Sequence, residues 1–163
     1  MTMKLDSVPM SQSLCVLRVD GECFGVETTR VRSVIDAQHP QPVPLAPSFL
    51  AGMMAYRGDV MLITDLAAML GGPVRSQGTV VVMEDDVSGE RFGLLVDAVE
   101  DIVEFESTSF DELPPTLDAR RAVMFRGIYQ YRGKLVGWLK SEMLCPEAWY
   151  ETSIQEGWQT CAH

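Results

Sequence analysis

Residues 56–70 read YRGDVMLITDLAAML and residues 131–144 read YRGKLVGWLKSEML. A shared tripeptide carries little weight, since Tyr, Arg and Gly all flank turns commonly. The order of a second shared phrase carries more. Upstream of the first lies FGVETTRVRSVI, beginning at Phe24, and upstream of the second lies FGLLVDAVEDIV, beginning at Phe92. Both open on Phe-Gly, place a Val seven residues on (Val31 and Val99), and follow it with paired aliphatics (Val34 and Ile35; Ile102 and Val103). A period of about 70 residues is too long for a solenoid unit, which spans roughly 20–50. Two related half-domains are the simpler reading. Halves of roughly 65–75 residues sit near the size where a lone core is marginal, so the two are expected to share an interface.

The local pattern is that of short strands. LCVLRV (14–19) is apolar and partly β-branched, and the DGE that follows is a hairpin signal before CFGVE. TTRVRSVID puts Val31, Val34 and Ile35 at helical spacing, which a short helix and a bent strand both satisfy. The proline run HPQPVPLAP (39–47) forbids a helix interior and lacks donors for a central strand, so it is a surface connection or an edge. FLAGMMAYRGDVMLITDL turns at RGD between two apolar runs, and DLAAMLGG ends on the glycines expected past a helix. The second half repeats the plan: TVVVMEDD and RFGLLVDAV as strands about a turn, SFDELPP as a loop, a hairpin about YRGK, and one helical turn at SEML. Turns every 8–12 residues or so, with no long crossover helix, point to small barrels or sandwiches.

Charge bounds the partners. The formal net charge is −10, and residues 84–112 hold eleven acids against one base, Arg91. Such a field repels phosphate backbones and anionic lipid, which argues against nucleic-acid and membrane-surface binding and leaves room for a basic or amphipathic protein partner. Four cysteines (Cys15, Cys23, Cys145, Cys161) form no C-x-x-C pair and no disulfide-dense scaffold. The first residues, MTMKLDSVPMSQS, hold no apolar leader segment, and no stretch nears the 18 or so apolar residues of a membrane span, so a reducing cytoplasm is the expected address.

Catalytic chemistry finds few candidates. His39 stands beside the proline run and His163 at the last position, where a second group is least able to orient them. The nucleophile-elbow, phosphate-loop, dinucleotide and zinc-protease motifs are absent. The acidic stretch lacks a calcium-loop pattern, and Cys161 with His163 does not complete a tetrahedral metal site. The repeated arginine is more informative, because a guanidinium on a turn beside Tyr56 or Tyr131 combines residue types enriched at protein interfaces.

From Leu14 to about Leu144 the chain resembles the CheW-like coupling, or adaptor, proteins of bacterial chemosensory systems. FGVETTRVRSVI, the segment APSFLAGMMAYRGDVMLITDL, the run TVVVMEDDVSGERFGLLVDAVEDIV and the closing FRGIYQYRGKLVGWLKSEML carry the resemblance, in that order. It implies an all-β fold with short helices: two SH3-like, five-stranded β-barrel lobes. These would form a CheW-like domain over 13–146, with lobes near 13–76 and 77–146 that are free to exchange strands, and a tail over 147–163. It also implies a scaffold without chemistry, cofactor or metal, joining the cytoplasmic tip of a methyl-accepting chemoreceptor to the regulatory domain of a CheA-type histidine kinase.

Carried over residue by residue, Arg57 and Gly58, with Tyr56 beside them, fall on the family's Asn-Leu-Arg-Gly contact turn. Val31, Ser33 and Val34 fall on the preceding contact segment. The chain departs from the family at Ala55, where Asn is usual, at Ser33, where Glu is common, and at Lys140, where an acid is common. These departures fit an adaptor of a divergent array, pilus-linked or otherwise non-flagellar, or one that has lost receptor contact. The reading from another class is a small β-barrel ligand-binding protein or enzyme using the acids of 84–112, which would require them to converge on a concave pocket.

Overall fold

Asp20 and Gly21 both take positive φ, 52° and 77°, as a two-residue hairpin turn requires. They join β1 (Ser11–Val19) to β2 (Glu22–Glu27), paired so that Leu17 faces Phe24. The computed structural model describes residues 11–85, 87–106 and 110–155. A 3-10 turn at Thr28–Arg30 leads into β3 (Val31–Gln38), so the segment left open between helix and strand is a turn and then a strand. The first half ends with β4 (Leu50–Tyr56), β5 (Asp59–Asp65) and the short helix α1 (Leu66–Met69). The second half follows with β6 (Gly78–Glu84), β7 (Arg91–Val96) and β8 (Ala98–Glu106). It closes with α2 (Ala119–Ala122), β9 (Phe125–Tyr131), β10 (Lys134–Leu139) and α3 (Pro146–Gln155).

These strands form two five-stranded sheets, the all-β, two-lobe architecture expected from the sequence. Lobe I has the order β8-β1-β2-β10-β9 and lobe II the order β3-β6-β7-β5-β4. The lobes therefore do not divide near residues 76 and 77. Each takes its leading hairpin from one sequence half and its other three strands from the other half. The connections show where the crossing occurs. Three residues stand between β2 and β3, and Asp97 alone stands between β7 and β8. Neither link forms a hairpin turn: β3 pairs with β6 and β8 with β1, so at both points the chain passes on into the neighbouring lobe.

The repeat holds to the level of register. Leu17 pairs with Val99 in lobe I, and Met83 with Val31 in lobe II. Each lobe is completed by a parallel pair, β2 with β10 and β7 with β5, in which Gly25 faces Trp138 and Gly93 faces Ile63. Glycine is required at both places by close approach. A Cβ on Gly93 would lie 2.4 Å from Ile63 Cδ1, and one on Gly25 2.9 Å from Leu14 Cδ1. The preceding Phe92 and Phe24 are both buried and face the same shared core.

That core lies between the lobes. It joins twenty-one buried side chains from both sheets, among them Leu17, Phe24, Met83, Phe92 and Leu94. The interior of lobe II holds five (Met61, Ile63, Val80, Val82, Leu95) and that of lobe I three (Val16, Cys23, Val136). Neither interior is enough for independent stability, so the lobes fold as one body. Trp149 and Tyr150 of α3 cap this core against Phe49, with ring centroids 5.5 and 5.2 Å apart. Trp158, the third aromatic of the tail, is outside the described residues. The proline run lies along the edge strand β4, where Gln41 and Met53 exchange backbone hydrogen bonds of 2.8 and 2.9 Å.

Arg75, in the link between α1 and β6, fastens the crossover points. Its guanidinium donates to Asp97 at 2.8 Å and to Asp20, and its backbone N–H donates to the buried Asp65 at 2.7 Å. Burial pushes the Asp97 carboxyl up, but the Arg75 guanidinium and the Asp20 N–H outweigh it and hold the group below the usual carboxylate range. Asp65 moves the other way, raised by its burial.

Candidate protein interface

Arg57 and Arg132 sit at φ of 51° and 49°, each followed by a glycine at positive φ, in the two-residue turns β4–β5 and β9–β10. Asn or Asp suits that first turn position far better, and a left-handed conformation costs an ordinary L residue about 1–2 kcal/mol. Arginine is nevertheless used twice. In each turn the guanidinium lies over the ring of the preceding tyrosine, 5.4 Å from Tyr56 and 5.1 Å from Tyr131. Each arginine is exposed at the tip of its turn with its guanidinium against the ring.

The tyrosines are anchored in matching ways by different groups. Ser33 and Tyr56 share a hydrogen bond of 2.7 Å between their hydroxyls. In lobe I the register places Asp101 opposite Val16, as Ser33 stands opposite Val82, and Tyr131 donates its hydroxyl to the Asp101 carboxylate. That hydrogen bond holds Asp101 below the ordinary carboxylate range, with Arg132 adding to the effect, and pushes the Tyr131 phenol up. The charge of Arg132 is thus partly offset by a neighbouring acid. In lobe II the tyrosine is held by a neutral serine, with Asp59 opposite it across the turn, and among the described residues Arg57 forms no ion pair.

The structure brings Ser33, Tyr56, Arg57 and Gly58 together on one end of lobe II. Val34 is exposed on the opposite face of β3 from Ser33 by strand alternation. Val31 pairs with Met83 and packs against the shared core, at the boundary of the lobes. Ala55 is exposed beside the turn, and Lys140 lies just beyond β10, donating its N–H to Met124.

Exposed apolar side chains recur at matched positions: Val34 and Ile102 on the third strands of the repeat, Val60 and Leu135 on the last. A single exposed apolar residue needs no explanation, but the same positions exposed in both lobes mark paired surfaces. The repeated phrases carry this signal for Val34 and Ile102, while the match of Val60 with Leu135 rests on the strand register.

Most acids of 84–112 are dispersed over ion pairs and exposed faces. Glu84 is engaged by Arg32 at 3.0 Å and Arg91 at 3.6 Å, a pairing that lowers its pKa, while Asp97 holds Arg75 and Glu100 holds Arg18 at 2.7 Å. On β8, Glu100, Glu104 and Glu106 share the exposed face with Ile102. Among the described residues no three His, Cys, Asp or Glu side chains group as a metal site requires, and no helix is long and apolar enough to cross a membrane.

The model of the CheW-like domain family matches residues 13–148. A chemotaxis protein CheW of Rhizobium meliloti is 28% identical over 137 residues, covering 83% of this chain and 88% of the relative. A probable chemotaxis protein CheW of Rhizobium etli matches at the same identity and coverage. The crystal structure of the scaffolding protein TtCheW from Thermoanaerobacter tengcongensis superposes with a TM-score of 0.72 at 24% identity, over 84% of this chain and 89% of that one.

Proposed function

Because the chain belongs to the CheW-like domain family, we propose that it is a non-enzymatic adaptor that couples chemoreceptors to a CheA-type histidine kinase in a bacterial chemosensory pathway. It acts in the cytoplasm, with the regulatory domain of the kinase and the cytoplasmic tip of a methyl-accepting receptor as its partners. The observation that carries the contact assignment is the state of Arg57, exposed on a strained turn, braced on Tyr56 and in no ion pair among the described residues. A guanidinium in that state keeps its fork of donors for a partner's carboxylate or carbonyl groups. Tyr56, Gly58 and Ser33 fix its aim, and Val34 adds exposed apolar area on the same strand.

The departures at Ala55 and Ser33 bear on how this contact is made. A glutamate in place of Ser33 would set an acid beside Tyr56, as Asp101 does beside Tyr131, and would offset the arginine. With serine there, the charge of Arg57 is left for the partner. The test is direct binding of the purified protein to the kinase regulatory domain and to a receptor-tip fragment from the same genome. Binding to either one supports the adaptor reading, and binding to neither removes it.

A further inference from the structure

Beside the turn of Arg57 lies a groove of about 720 Å³, bounded by the β4–β5 and β6–β7 hairpins and the start of α3. Its floor is apolar, formed by Val60, Leu62 and Phe92, with Val60 72% and Leu62 37% exposed. Its rim is acidic. Asp59, Asp85, Glu90 and Glu147 line it against one base, Arg91, which is itself paired with Glu84. Asp85 is occupied in its own turn, accepting from Ser88 at 2.8 and 2.9 Å. Asp59 and Glu90 form no ion pair among the described residues.

The repeat supplies an internal comparison. Lobe I has a groove at the matched place, of about 560 Å³, where Leu135, Lys134 and Glu22 stand at the positions of Val60, Asp59 and Glu90. Lys134 reverses the charge of Asp59, and Arg121 adds a second base to that rim. Gly137 replaces Leu62, because a Cβ there would lie 2.6 Å from the ring of Phe125. One backbone frame thus carries an acidic rim with an open aliphatic floor in lobe II, and a more basic rim with a partly filled floor in lobe I.

We propose that the lobe II groove docks a short basic amphipathic helix of a partner protein. The sheet order decides the form of the occupant. β5 and β7 are both interior strands, so their backbone groups are already paired and an added strand finds no edge there. With no strand edge on β5 or β7 to extend, recognition falls to side chains such as Val60 and Leu62, which is the setting in which a helix lays an apolar face into a groove. The rim decides the chemistry, since lysines or arginines flanking that face meet Asp59 and Glu90, whereas an anionic partner is repelled. The proposal rests on the adaptor reading only in taking the occupant to be a protein.

The test is fluorescence anisotropy with a synthetic helical peptide carrying leucines at i, i+3, i+4 and i+7 and lysines on its flanks, alongside the same peptide with glutamates for the lysines. Kinase and receptor are absent, so the result is independent of whether either binds. The parent protein is expected to bind the lysine peptide, with affinity falling as salt rises, and not the glutamate peptide. Asp59→Lys with Glu90→Lys, and separately Val60→Ser with Leu62→Ser, should each weaken binding about tenfold or more at unchanged melting temperature. Glu106→Lys with Glu112→Lys, on the lobe I part of the chain, should leave it within about twofold, as expected of charges remote from a contact. Equal weakening by that control pair would mean only general attraction to an acidic protein and would overturn the proposal. So would absence of parental binding, binding of the glutamate peptide, or a parental dimer in sedimentation that the groove variants abolish, which would make a second copy the occupant. Should the serine pair fail to fold, the lysine pair decides alone.

Discussion

Asp101 stands in lobe I where Ser33 stands in lobe II, and each holds the tyrosine that braces a turn arginine. The two sites share backbone, ring and guanidinium and differ in two charged positions, Asp101 against Ser33 and Lys134 against Asp59. Arg132 acts on the Asp101 carboxylate, while Ser33 offers Arg57 no such acid from the third strand, and different costs are expected for the same substitution. At Arg132 a glutamate would be set beside Asp101 and Glu100, so some local repulsion is expected but no loss of a partner contact.

Phe24 is 5% exposed and stacks on Phe125 with centroids 6.1 Å apart, inside the core that both lobes share. Phe24→Ala should destabilise the whole domain by about 3–5 kcal/mol in urea unfolding. Because the lobes share that core, the variant should still unfold in one transition. Two separate transitions would show that the lobes are independent.

The Phe-Gly repeat makes a graded prediction. Gly93→Ala sets a Cβ 2.4 Å from Ile63 Cδ1 and 2.7 Å from Val80 Cγ1, a β-branched side chain with little freedom. Gly25→Ala meets the movable end of Leu14 at 2.9 Å. Overpacking of this kind costs about 1–3 kcal/mol, and Gly93→Ala should stand at the upper end with Gly25→Ala below it. The reverse order in unfolding free energy would contradict the packing described.

The Arg75 clasp gives a dependence on pH. Asp97 has its carboxyl lowered in the folded state, so its contribution is fully present above the unfolded value near pH 4 and is lost as pH falls through the folded value. Arg75→Met should cost about 1–3 kcal/mol at neutral pH, between the values for exposed and buried pairs, since the Arg75 side chain is 20% and that of Asp97 31% exposed. The gap between parent and variant should narrow below about pH 4. Asp65, raised by burial, works in the opposite sense in both proteins. A gap constant from pH 7 to 3, in a range where both proteins remain folded, would show that Asp97 does not contribute through this pair.

The repeat was legible because its register is strict: the same offsets join Phe24 to Val31 and Phe92 to Val99, and the strand pairings preserve them. The exchange of strands was open only through the family resemblance, not through the residues themselves. An alternating strand reads alike whichever sheet it joins, and Thr28–Arg30 or Asp97 looks like any short turn. Helical spacing at Val31, Val34 and Ile35 was ambiguous because polarity does not follow burial there: the strand alternates, but the polar Ser33 is on its more buried face and the apolar Val34 is exposed. Arg75 gave no signal, lying in a Gly- and Pro-rich link with its acids at Asp20 and Asp97, far along the chain. The turn arginines were visible as a repeat, but one of the differences between them, Ser33 against Asp101, depends on cross-strand neighbours that only the fold brings together.

The central claim is that Arg57 makes a partner contact and Arg132 does not, and a single titration addresses it. Binding of the kinase regulatory domain and of the receptor-tip fragment is measured by calorimetry for the parent, Arg57→Glu and Arg132→Glu. Arg57→Glu should weaken one of the two complexes by about thirtyfold or more, equivalent to roughly 2 kcal/mol, with its melting temperature nearly unchanged. Arg132→Glu should bind like the parent. If both variants bind like the parent, or if Arg132→Glu is the damaging one, the assignment of the contact to the lobe II turn is wrong.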